Sequence, residues 1–137
     1  MKKHFLRNDT PANRVRYRIF QLMGHFEEMY DLVGALLEFR MHEEKVKNQI
    51  EAHLIEMEKE ALSMTKELKS IEKNHTDNEQ KKFETTTLYE AVRRSYNLLT
   101  ALNIMDLESP GWVRVTSKCL IEKVYYRQIK SLIFNPE

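Results

Sequence analysis

Apolar residues recur along the first half of the chain with a spacing of seven. Ile19, Phe26, Val33, Arg40, Lys47, Leu54, Ala61 and Leu68 fall in one row, position a of a heptad. Leu22, Met29, Leu36, Glu43, Ile50, Met57, Met64 and Ile71 fall in a second, position d. Thirteen of these sixteen positions are apolar, and the three exceptions, Arg40, Glu43 and Lys47, are consecutive. The phase is the same on both sides of that gap. It therefore predicts one continuous helix over about residues 11–74, roughly 95 Å long at 1.5 Å per residue. Thr10 followed by Pro11 marks its start, because a threonine can cap the first turn and proline lacks only an N–H that would be unpaired there. Gly24 and Gly34 weaken this helix without ending it.

The two halves of the seam differ in width. In the first, position e is also apolar (Met23, Tyr30, Leu37), as in a helix packed inside a bundle. In the second, position e carries Glu44, Glu51, Glu58 and Thr65, the narrow stripe with charged flanks of a coiled coil. Residues Ile50, Leu54, Met57, Ala61, Met64, Leu68 and Ile71 are thus expected to meet another chain, with a homo-oligomer as the simplest arrangement. The polar trio admits three readings: a bend or partner site, a register-fixing layer, or a crossing through solvent between two packed bodies. Met23, Met29, Met57 and Met64 read as adaptable core.

Residues 75–86 form a polar connector. Thr87-Leu88-Tyr89-Glu90 reads as a capping box opening a second helix over about 87–105. Ser109-Pro110 repeats the cap-then-proline signature and predicts a third helix over about 110–133. In competition with it, Trp112-Val113-Arg114-Val115-Thr116 alternates like a short strand. The expected fold class is all-α: a single helical domain over 1–137, a bundle with a coiled-coil extension and a flexible basic arm at 1–9.

Composition agrees with this. Hydrophobic residues make up 42% and charged residues 31%, with three Gly and three Pro, a balance suited to helices and poor in turn formers. The single Cys119 cannot form an intrachain disulfide, and the N-terminal bases precede no apolar run. Nothing approaches the roughly 20 apolar residues of a membrane helix. A cytoplasmic protein without membrane association is the expectation.

Net charge is only +1, but it is polarised. Residues 1–18 carry six bases against one acid, whereas residues 27–60 carry ten acids against four bases. The basic ends suggest phosphate contacts through Lys2, Lys3 and Arg7 and through Arg114, Lys118, Lys123, Arg127 and Lys130, with Tyr125 and Tyr126 interleaved. The plainer reading of the same residues is a solvated helix face.

Catalytic and metal chemistry find less footing. His25 with Glu28, and Glu38 with His42, stand one helical turn apart. A di-iron bundle takes Glu-x-x-His from two helices plus two further inward glutamates, which the chain does not supply. Both pairs are therefore expected to be ordinary surface, with no metal site. Cys119 lacks the context of a nucleophile, and three scattered glycines cannot form a phosphate-cradling loop. No catalytic residue and no cofactor is expected. The plan is similar to that of small regulators and assembly factors of phages and mobile elements, a likeness of architecture that carries no residue across. The expected role is a non-enzymatic adaptor or regulatory protein that self-associates through its seam and binds a protein partner. The alternative is an accessory factor associated with nucleic acid.

Overall fold

A computed structural model describes residues 10–73, 79–103, 107–114 and 127–131, and these are helices and turns with no strand among them. Three helices dominate: α1 (Pro11–Leu37), α2 (Glu43–Lys73) and α3 (Glu79–Asn103). The all-α expectation holds, and none of these helices is long and apolar enough to cross a membrane.

α1 begins as its sequence predicts. Thr10 sits in extended backbone and its hydroxyl accepts from the Asn13 amide at 3.2 Å, with Pro11 opening the helix. The continuous helix of about 11–74, however, is replaced by a helical hairpin. α1 closes in a Schellman arrangement: the Phe39 amide donates to the Leu36 carbonyl at 3.1 Å and the Arg40 amide to the Ala35 carbonyl at 2.8 Å. The residue at the left-handed position is Phe39, with φ 60°, where glycine is usual. No Gly or Pro advertises this reversal. Its sequence trace is the polar trio, so of the three readings of the trio the bend is the one realised. The unbroken heptad phase has another cause: α1 and α2 lie antiparallel and turn equivalent faces to one shared core.

That antiparallel register can be followed along the pair. Arg14 meets Glu67 at 3.0 Å, Arg18 meets Glu60 at 3.0 Å, and His25 meets His53 at 2.9 Å. The charge polarity of the sequence is thus partly satisfied inside the chain, with α1 arginines on α2 glutamates. These pairs are partly exposed, and each contributes only tenths of a kcal/mol up to about 1 kcal/mol. The stability comes from the interior, where Val15, Ile19, Leu22, Phe26 and Met29 of α1 pack with Val46, Ile50, Met57 and Met64 of α2.

α3 starts at Glu79, eight residues before the expected capping box, so Thr87 lies within a helix and residues 79–86 are helical rather than connector. Leu88, Val92, Leu99 and Leu102 reach the same core, and buried Ser95 satisfies its hydroxyl on the Ala91 carbonyl at 2.9 Å. A small polar cluster ties α3 to α2. The Tyr96 hydroxyl donates to the Ala61 carbonyl at 3.0 Å and lies 2.7 Å from the Thr65 hydroxyl.

Residues 112–114 are helical, which decides against a strand there, and 127–131 are helical as well; Pro110 and Gly111, the expected start of the third helix, stand in a turn, and residues 115–126, 132 and 133 lie outside the described residues. The segment after α3 folds back onto the start of α2. Trp112 is buried and its indole N–H donates to Glu43 at 2.9 Å, while Lys47 pairs with Glu108 at 3.6 Å. Arg40 bonds Glu38 within the turn, at 2.6 and 2.9 Å. Each member of the trio therefore has its own partner around the hairpin end. Ile129 is fully buried, and Arg94 of α3 hydrogen-bonds Gln128 beside it.

Candidate functional site

The expected oligomer seam is covered within the single chain. Ile50, Met57, Ala61, Met64 and Leu68 are buried, and Leu54 and Ile71 pack against the same core. The narrow stripe that looked like a coiled-coil face is covered by α1 on one side and α3 on the other. Met23, Met29, Met57 and Met64 are likewise interior. Apolar surface left over lies elsewhere.

Much of it gathers at the hairpin end. Tyr30 and Leu37 share one face of α1 two turns apart, and both are exposed. Phe39 follows in the turn and is 95% exposed. Holding a residue with a β-carbon in left-handed backbone costs about 1–2 kcal/mol, and this one gains almost nothing by burial. Strain of this kind concentrates where a residue serves something other than the fold. Beside the turn is an open cleft of about 320 Å³, whose lining includes Glu28, Asp31, Arg40, Met41, Gln49 and His53.

At the cleft lies a three-residue cluster. His25 and Glu28 come from neighbouring turns of α1, as their spacing implies, and α2 adds His53. The Nδ1 atoms of the two histidines are 2.9 Å apart, and Nε2 of His53 is 3.1 Å from a Glu28 carboxylate oxygen. One ligand-capable atom of each residue lies within 4.8 Å of the other two. Burial lowers the pKa of His53; Glu28 opposes this by favouring the charged ring, and nearby His25 adds to the lowering. The roles across the 2.9 Å contact follow the tautomer: with the His53 proton on Nε2, toward Glu28, its Nδ1 lone pair accepts from His25.

The absence of a metal site expected from sequence thus meets a set of donors that could hold an ion. Sequence reasoning missed His53 because a continuous helix would set it about 40 Å from His25. Only the reversal unites them. The second pair, Glu38 and His42, is not on a helix face at all, since both residues stand in the turn.

Of the residues expected to contact nucleic acid, Arg114, Arg127 and Lys130 are exposed. Lys2, Lys3, Arg7, Lys118 and Lys123 lie outside the described residues, as do Tyr125, Tyr126 and Cys119. No family model, no curated protein and no solved structure matches the chain.

Proposed function

We propose that the protein is a non-enzymatic binding module that engages a partner protein through the tip of the α1–α2 hairpin, with Phe39 as the anchor. The observation that carries this reading is the combination of left-handed backbone and near-complete exposure at Phe39. A phenylalanine held out on a braced turn loses little conformational entropy on insertion into a pocket, which is the property of an interface anchor. Leu37 and Tyr30 extend the apolar contact along α1. Residues 27–44 carry six acids against Arg40 alone, and this negative charge favours a partner whose pocket has a basic rim. The adaptor role expected from sequence is kept, but its contact moves from the α2 seam, which is covered, to the tip.

The test uses a photo-crosslinking phenylalanine analogue at position 39 and, as a control, at exposed Leu62, in the native host. One dominant protein adduct from position 39 and not from 62 is expected. Phe39→Gly should abolish capture of that protein while raising stability by about 1 kcal/mol, because glycine removes the left-handed penalty. Equal adducts from both positions, or capture unchanged by Phe39→Gly, would overturn the proposal.

Nucleic-acid binding is the second reading, supported by the exposure of Arg114, Arg127 and Lys130. A salt-sensitive gel shift lost on replacing these three by alanine would favour it over the tip.

A further inference from the structure

We propose that His25, Glu28 and His53 form a binding site for a divalent transition metal of the zinc class, joining α1 to α2. In this site the two Nδ1 atoms are the ligands. Glu28 holds His53 in the required tautomer through Nε2 and supplies negative charge near the ion. Water completes the coordination from the open side.

Geometry is the first support. An ion holding two imidazole nitrogens at about 2.0–2.1 Å with tetrahedral angles sets them about 3.3 Å apart. The observed 2.9 Å separation needs only a few tenths of an ångström of opening. The rings come from two different helices and meet nitrogen to nitrogen rather than stacking, with centroids 5.1 Å apart and planes at 54°.

Chemistry is the second. In the metal-free arrangement one proton lies between the two Nδ1 atoms. When an ion takes its place, His25 shifts that proton to its own Nε2, and both lone pairs turn to the metal without any change in the histidines' net charge. The Glu28–His53 contact is the carboxylate–histidine relay that supports ligating imidazoles elsewhere, and it is already in place at 3.1 Å. Two imidazole ligands with water suit Zn²⁺, Co²⁺, Ni²⁺ or Cu²⁺ rather than Mg²⁺ or Ca²⁺, which take mostly oxygen.

Access is the third. The imidazoles are half-buried, which limits competition from bulk water, whereas the Glu28 side chain is 66% exposed. Glu28 and His53 line the open cleft, so an ion can enter and retain water or accept a ligand from outside.

The experiment is calorimetric titration of the full chain with Zn²⁺, paired with thermal melting and with Co²⁺ absorption. Expected are one ion per chain, a higher melting temperature on Zn²⁺ addition because only the folded hairpin presents both rings, and a visible Co²⁺ ligand-field band. His25→Gln and His53→Gln should each weaken binding by at least about 100-fold, and Glu28→Gln by about 10-fold, in keeping with an outer-shell role. His42→Gln, at an exposed histidine outside the cluster, should leave affinity unchanged. Circular dichroism confirms that each variant is folded, and His25→Asn serves if His25→Gln is not. Failure of millimolar Zn²⁺ to bind, or binding that survives loss of both His25 and His53, would overturn the proposal. The outcome is independent of the tip contact, since Phe39 takes no part in it.

Discussion

The indole N–H of Trp112 donates to the Glu43 carboxylate at 2.9 Å, across 69 positions of sequence. The bond fastens the segment after α3 to the first turn of α2, and the ring beneath it is 2% exposed. Trp112 is the only tryptophan, so its fluorescence reports this contact directly. Trp112→Ala is expected to cost about 3–5 kcal/mol in urea unfolding followed by circular dichroism. Glu43→Ala should cost less, about 1–3 kcal/mol, and alter the emission of the folded protein. An unchanged spectrum in the Glu43 variant would show that the bond is not made.

Gly24 lies in the middle of α1 on its exposed side, with ordinary helical backbone and no atom within 4 Å of where a β-carbon would stand. Gly24→Ala is therefore expected to stabilise the protein by about 0.5–1 kcal/mol, by restricting the unfolded chain and favouring the helix. The check is a shift of the urea midpoint with an unchanged slope.

Tyr96 carries the hydrogen-bonded link between α3 and α2, through the Ala61 carbonyl and the Thr65 hydroxyl. Tyr96→Phe keeps the ring and removes only this link. A loss of about 1 kcal/mol is expected, and Thr65→Val in the same background should add less than it does alone, because the two hydroxyls share one network. A double-mutant cycle measures the difference.

Glu90 on α3 accepts hydrogen bonds from Arg93 and forms an ion pair with Arg94 at 3.2 Å. The hydrogen bond from Arg93 is the largest influence holding its pKa below the usual glutamate value, with the positive charges of Arg93 and Arg94 in support and desolvation opposed. A carboxylate lowered in the folded state contributes stability above its unfolded pKa and loses it as pH falls through the folded value. Carboxyl carbon NMR should find Glu90 titrating below the usual glutamate value. Arg93→Ala should move its midpoint back up.

The sequence made the core legible because the core obeys one period. Every apolar a and d residue from Ile19 to Ile71 is buried or packed against the core, with Leu36, Leu54 and Ile71 at its margins. The hairpin was not legible from the same evidence. Periodicity states which face of a helix is apolar, but it is silent on whether that face meets a later part of the same chain or another molecule. The usual punctuation was also missing, since Phe39 occupies the position where glycine would have marked the turn. The early start of α3 was hidden for a related reason: residues 79–86 are too polar to display a stripe. For the cluster, the His25–Glu28 spacing was visible, whereas His53 becomes its neighbour only through tertiary structure.

The turn at 38–42 also acts as a phase lock. Each residue of an α-helix advances the face by about 100°, so if the turn keeps its geometry, deleting or inserting one residue between Leu37 and Glu43 would rotate α2 relative to α1 by that angle. A deletion would then bring Glu51 and Glu58 toward the interior in place of Ile50 and Met57, an insertion Gln49 and Glu56, and in either case His53 would leave His25. In this five-residue stretch, where Met41 packs against the core, the length of the chain is fixed more tightly than its exposed side chains.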